Sequence, residues 1–86
     1  MDEEHKRMRW ASRRGMLELD LILEPFVRLH YAHLDDEGRK RYRELMTCQD
    51  QELFDWFLRK QVPDNSEHEF MVRTILSARR AEDTPP

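Results

Sequence analysis

Apolar positions recur along this chain at intervals of three and four residues, the spacing of helices that pack one face onto a core. The sequence has no alternating apolar and polar runs, few β-branched residues and no Asn-Gly or Asp-Gly hairpin turn, so the pattern predicts no strands. We expect an all-α fold, a small bundle of five helices in a single domain spanning residues 1–86. Residues 1–4 and 81–86 are expected to fray at its ends.

The first helix is predicted from a cap at Asp2 to about Arg14, with acids early and arginines late, as the helix macrodipole favours. The second is predicted over 16–31 and is apolar on almost every side, which is typical of a central helix. Pro25 lies inside it and cannot donate to the carbonyl of Leu21. We therefore expect a local kink there and no new domain.

Three further helices follow from their start signals. The run 34–37 opens the third, Asp50 is the predicted N-cap of the fourth, and a capping box over 66–69 opens the fifth. The apolar positions assigned to the core in these helices are Tyr42, Leu45, Met46, Leu53, Phe54, Trp56, Phe57, Leu58, Phe70, Met71, Val72, Ile75 and Leu76.

The stretch Arg13-Arg14-Gly15-Met16-Leu17-Glu18-Leu19-Asp20 joins the first two helices. Gly15 is the natural break, because glycine tolerates the left-handed conformation that ends many helices. Arg14 and Glu18 are four residues apart and would share a helical face, as an exposed cation and an exposed anion beside a small gap. That arrangement suits close docking of another macromolecule. In the alternative interpretation Gly15 is only a C-cap, Arg14 a favourable cation at the helix end and Glu18 an ordinary first-turn acid.

Charge and cysteine content indicate which partners and which cellular compartment the protein is expected to have. The net charge of -3 and the pI of about 5.8 argue against nucleic acid as the main partner. Residues 6–14 nevertheless carry five basic side chains and no acid, and such a patch more often meets an acidic protein surface than a duplex. Cys48 is the single cysteine, so no internal disulfide can form. With no long apolar run and no visible signal peptide, we expect a cytoplasmic protein without membrane insertion.

Enzyme chemistry finds little support in the sequence. His30 and His33 could bind a metal with Asp35 or Asp36, but they have no fixed third ligand. The two glycines stand far apart, so no phosphate-binding glycine loop is present. We therefore predict a non-enzyme with no catalytic residue and no metal site.

Two short blocks resemble a known family. Arg14-Gly15-Met16-Leu17-Glu18 matches the RGxxE motif of the small flavinylation assembly factors of succinate dehydrogenase. Asp50-Gln51-Glu52-Leu53-Phe54-Asp55-Trp56 resembles the D-x-x-L-[FL]-x-W signature of the same family. Other family-like positions are Trp10, Arg13, Leu19, Asp20 and Phe26. The resemblance covers roughly residues 5–80.

The resemblance implies a compact helical assembly chaperone that promotes covalent attachment of FAD to the flavoprotein subunit of succinate dehydrogenase and, as a further client, of fumarate reductase. The bond joins the flavin 8α-methyl carbon to a histidine of that partner. FAD belongs to the client and is not stably bound here, and the free chain is expected to be a monomer. The partner-binding residues implied are Arg13, Arg14, Gly15, Glu18 and Asp20.

The resemblance implies a different role for each of these residues. Arg14 would engage polar groups of the partner, Gly15 would permit close backbone approach, and Glu18 would complete the contact near the flavin. Asp20 is equally well interpreted as an acid that supports its own helix. Two other functions stay open: a regulatory binding module such as an antitoxin, and DNA binding through Arg7, Arg9, Arg13 and Arg14.

Overall fold

Five α-helices form in the predicted order, but the first ends at Ala11 and not near Arg14 as predicted. The computed structural model describes residues 2–83, with side chains described as far as residue 80. The helices are α1 (Glu3–Ala11), α2 (Leu17–His30), α3 (Asp36–Leu45), α4 (Asp50–Phe57) and α5 (Ser66–Asp83), with a short 3₁₀ turn, Tyr31–His33, after α2. Residues 2–83 contain no strand, so the predicted all-α fold of five helices is confirmed. No helix within this range is both long enough and apolar enough to cross a membrane.

Helix α2 lies at the centre, as predicted, because it packs against α1, α4 and α5. Its buried stripe follows the helical period and consists of Leu19, Ile22, Leu23, Phe26 and Val27. The stripe is narrower than the sequence suggested, because Leu21 and Leu29 are exposed. The helix therefore keeps one apolar edge in contact with solvent.

Helix α2 continues through Pro25. A guanidinium N–H of Arg79, on α5, donates to the carbonyl of Leu21 at 2.8 Å. This is the carbonyl that Pro25 leaves without its helical donor, so a side chain from α5 replaces the missing bond. The expected kink stays a prediction.

The N-terminal end is more ordered than expected. The carboxylate of Asp2 caps α1 by accepting from the backbone N–H of His5 at 2.8 Å, as predicted. Glu4, expected to fray, accepts a hydrogen bond from the hydroxyl of Tyr31 at 2.8 Å and forms an ion pair with Arg43. At the other end the α5 backbone continues through residues 81–83, which were also expected to fray. Met1 and residues 84–86 lie outside the described residues.

Two of the predicted helix starts are shifted by one residue. Gln49, not Asp50, is the N-cap of α4, and the side chain of Glu52 accepts from its backbone N–H at 3.1 Å. The side-chain oxygen of Asn65 caps α5 by accepting from the N–H groups of residues 67 and 68, so the predicted box over 66–69 is wrong. Glu69 does not reach back along its helix because it binds two arginines, Arg59 and Arg73.

The aromatic side chains are less uniformly buried than predicted. Phe57 is buried, whereas Phe54 and Trp56 are only partly covered. Phe70, assigned to the core, is 57% exposed, and the guanidinium of Arg41 lies 4.8 Å from its ring centre. This cation–π contact lets the ring remain at the surface, and the prediction for Phe70 is wrong. Leu58 is also exposed.

Candidate functional site

The candidate site is the five-residue loop 12–16 that connects α1 to α2, together with the first turn of α2. Gly15 adopts φ = +82°, the left-handed conformation predicted for it. Glycine is exposed here, and a Cβ added to it would meet no atom within 4 Å. The backbone at this point is therefore open to close approach from outside.

The Arg14 side chain turns inward from the same loop. Its Nε donates to a carboxylate oxygen of Asp50 at 2.7 Å, one Nη donates to the carbonyls of Ala11 and Met46 at 3.0 Å each, and the other donates to the carbonyl of Cys48 at 2.8 Å. The side chain is only 16% exposed. One guanidinium thus links the end of α1 to the segment between α3 and α4 through four acceptors.

This geometry corrects the prediction of an exposed Arg14 cation. Arg14 precedes α2, which begins at Leu17, so it does not share a helical face with Glu18. Its bond to the carbonyl of Ala11, the last residue of α1, agrees instead with the alternative interpretation of a cation at a helix end. The alternative of DNA binding relied on four arginines, and Arg14 is not available as one of them because its guanidinium is bonded within the fold.

Asp20 supports the loop from the first turn of α2. Its carboxylate accepts from the backbone N–H of Arg14 at 2.8 Å. Asp20 was interpreted as an acid that supports its own helix, whereas the bond shown here supports the loop, because the N–H of Arg14 lies before α2. Direct partner contact by Asp20 stays a prediction.

Arg13 and Glu18, in contrast to Arg14, are both exposed. Within the part of the chain whose side chains are described, residues 2–80, neither side chain forms a hydrogen bond or an ion pair. The only support that the fold takes from these two charges is the place of Glu18 in the first turn of α2, near the positive end of the helix dipole. We call the exposed residues Arg13, Gly15 and Glu18 the outer side of the site, and Ser12, Arg14 and Asp20 its inner side.

Ser12 is the site residue that the sequence analysis missed. Its hydroxyl is fully buried, donates to the carbonyl of Met8 at 2.7 Å and shares a 2.5 Å hydrogen bond with the hydroxyl of Tyr42. Burial raises the pKa of Tyr42 well above its ordinary value, so this phenol stays protonated and can donate. The only local signal was a serine placed just after a helix, where side-chain hydroxyls often bond to the backbone.

The other candidate groups do not assemble into a reactive centre. Among the described side chains, residues 2–80, no three His, Cys, Asp or Glu groups come together as a metal site would require. The thiol of Cys48 lies 3.6 Å from a ring nitrogen of His68, and burial raises the pKa of that thiol, which disfavours the reactive thiolate.

Comparison with known proteins agrees with the two sequence blocks. A family model described as "Flavinator of succinate dehydrogenase" matches residues 6–79. The FAD assembly factor SdhE of Pseudomonas savastanoi pv. phaseolicola is 52% identical over 75 residues, which cover 87% of this chain and 89% of that protein. The FAD assembly factor SdhE of Pseudomonas aeruginosa is 48% identical with the same coverage, and that of Shewanella oneidensis is 47% identical over 73 residues, 85% of each chain. The predicted resemblance is confirmed, and the chain belongs to the family of succinate dehydrogenase flavinators.

Proposed function

We propose that this protein is an assembly factor that binds the flavoprotein subunit of succinate dehydrogenase and promotes covalent attachment of FAD to it. The relatives described above carry the name FAD assembly factor, and membership of their family supports this assignment. We further propose that it acts as a cytoplasmic monomer without enzymatic activity of its own. Fumarate reductase is a second client in this proposal.

One observation carries the assignment to the outer side of the site: Glu18 is exposed and has no hydrogen-bond or ion-pair partner among the described side chains. A carboxylate that ties two segments of its own chain together has a hydrogen-bond or ion-pair partner, as Asp20 has with the backbone of Arg14. Glu18 has none among the described side chains and follows the open backbone of Gly15 by three residues. A partner that approaches closely at Gly15 would meet this carboxylate.

The proposed mechanism is one of orientation. The flavin and the client supply the bond-forming groups, and the assembly factor holds the client where its histidine faces the flavin 8α-methyl carbon. Correct alignment of two reacting groups can lower a barrier by several kcal/mol, roughly up to 7–11 kcal/mol in the best intramolecular cases. No catalytic residue of this chain is needed for such an effect.

The roles of the two arginines are revised in this proposal. Arg13 presents the exposed cation, whereas Arg14 acts indirectly by fixing the loop that carries Gly15. Asp20 has the same supporting role, through the backbone of Arg14. The partner contact therefore involves Arg13, Gly15 and Glu18, with Arg14 and Asp20 beneath them.

The test is covalent flavin on the client, measured as in-gel fluorescence after denaturing electrophoresis, with and without this protein. We expect strong fluorescence only when it is present. Glu18→Ala should reduce the signal severely while changing the free energy of unfolding by at most ~0.3–1 kcal/mol, the usual effect of a first-turn acid. Glu18→Gln then separates loss of charge from loss of hydrogen bonding.

Glu37 provides the matched control, because it is also an exposed acid at the second position of its helix, α3. Glu37→Ala should support normal flavinylation. Full flavinylation by folded Glu18→Ala would reduce Glu18 to a structural acid. Equal client fluorescence without any assembly factor would contradict the proposed function as a whole.

A further inference from the structure

Trp10 occupies an unusual position for the largest apolar side chain. It lies near the end of α1, and its residue is 78% exposed, more than any other large hydrophobic residue for which the structure gives an exposure. Tryptophan gains more than most residues from burial, so solvent exposure forgoes a large stabilisation. Nothing in the packing of α1 requires this ring, because Met8 makes the buried contact of that helix.

Three cations surround the ring. Lys6, Arg9 and Arg13 line a shallow groove together with Trp10. Arg9 forms an ion pair with Glu24 at 3.2 Å. Lys6 and Arg13 have no ion-pair partner among the described side chains, residues 2–80. The groove is therefore cationic around an aromatic ring, on a chain whose net charge is -3.

The groove is continuous with the outer side of the site. Arg13 belongs to both, and its backbone N–H donates to the carbonyl of Trp10 at 3.1 Å. The chain then reaches Gly15 in two residues. A macromolecule bound at Gly15 and Glu18 would thus lie next to the indole ring.

We propose that Lys6, Arg9, Trp10 and Arg13 form a second docking surface, which receives an acidic segment of the flavoprotein client. Its carboxylates would pair with the cations, and an apolar side chain of the segment would cover the indole. Tryptophan and arginine are the side chains that most often dominate binding energy at interfaces, and opposite charges accelerate and orient association. The inference rests on the proposed function, because it names the same client.

The first test measures the affinity of the purified flavoprotein subunit for Trp10→Ala. We expect binding about 30-fold weaker or more, the scale of an interface hot spot, with an unchanged melting temperature since the ring supports no packing. Phe70→Ala is the matched control, because Phe70 is an exposed aromatic residue of α5 that lies beside Arg41 of α3. This variant should bind the flavoprotein subunit normally.

The second test addresses the charges. Affinity of the unaltered protein should fall as salt is raised, and the double variant Lys6→Gln, Arg13→Gln should show weaker binding with a flatter salt dependence. Equal salt dependence of the two proteins would overturn the acidic segment as the occupant.

Glu18→Ala distinguishes the two proposals. If Glu18→Ala loses client binding while folded Trp10→Ala binds normally, the second docking surface is overturned and the proposed function stands. If the unaltered protein does not bind the client, both are overturned. Dimerisation that Trp10→Ala abolishes, with client affinity unchanged, would assign the groove to a second copy and overturn the proposal.

Discussion

The inner and outer sides of the loop between α1 and α2 alternate along residues 12–15 but differ in their contacts with the rest of the protein. On the inner side, Ser12 and Arg14 bond to groups from three other parts of the chain, and Asp20 holds the backbone between them. On the outer side, Arg13 and Glu18 make no such contact. The difference shows that neighbouring residues of one short motif can have different tasks, some holding the loop in place and others forming its exposed surface. The arginine of RGxxE, Arg14, is one of the residues that hold the loop.

Replacement of Arg14 should produce the largest loss of stability. Arg14→Ala leaves the carboxylate of Asp50 and three backbone carbonyls without their donor. We expect the free energy of unfolding to fall by about 3 kcal/mol, a large part of the ~5–10 kcal/mol expected for a small domain. Urea denaturation followed by circular dichroism measures it.

Arg13→Ala is the control for Arg14, since it removes an adjacent arginine that the fold does not use. Its unfolding free energy should stay within ~0.5 kcal/mol of the unaltered protein. Arg14→Lys should recover little, because an ammonium cannot reproduce the planar fork of a guanidinium. Equal stability of the two alanine variants would place Arg14 on the outer side.

Ser12→Ala should have the next largest effect. It leaves the buried hydroxyl of Tyr42 without its partner, which costs about 1–3 kcal/mol of unfolding free energy. The double variant Ser12→Ala, Tyr42→Phe removes both polar groups and should be more stable than the sum of the single changes predicts. Thermal melts of the four proteins measure this coupling, and strict additivity would argue against the Ser12–Tyr42 bond.

Substitution of Gly15 sharpens the comparison because it separates backbone strain from bulk. Gly15→Ala and Gly15→Arg both place a side chain at φ = +82° and should each lose ~1–2 kcal/mol of stability. A Cβ meets nothing within 4 Å, so neither creates a clash within the chain. Only the arginine fills the open space above the loop.

Client binding should therefore differ between the two Gly15 variants although their melting temperatures are similar. We expect Gly15→Ala to bind the flavoprotein subunit and Gly15→Arg to fail through steric overlap with it. Pull-down of the client at matched concentrations of folded protein measures the difference. Normal binding by folded Gly15→Arg would contradict close approach at this loop.

Features set by local sequence could be predicted. The five helices follow from apolar periodicity, and the left-handed Gly15 follows from the conformational freedom of glycine between two helical patterns. The exposed position of Glu18 follows from its place in a first turn. These features need no knowledge of how distant segments meet.

Features set by contacts between distant segments could not be predicted. Three acceptors of the Arg14 guanidinium, on Met46, Cys48 and Asp50, lie 32–36 residues further along the chain, so no local pattern indicates that this side chain turns inward. The same contact explains the misassigned cap of α4, because the carboxylate of Asp50 binds Arg14. Asn65 and Ser66 are both good capping residues, and local preference did not select between them.

The hydrogen bond from Arg79 to the carbonyl of Leu21 has a consequence for how the protein is made. A ribosome produces the chain from its N-terminus, so Pro25 is already part of the chain long before Arg79 has been added. Until then Arg79 cannot donate to the carbonyl of Leu21. The helix whose first turn carries Glu18 thus gains the bond to this carbonyl only after α5 has been added and has packed against α2, so completion of α2 depends on a side chain 58 residues further along the chain.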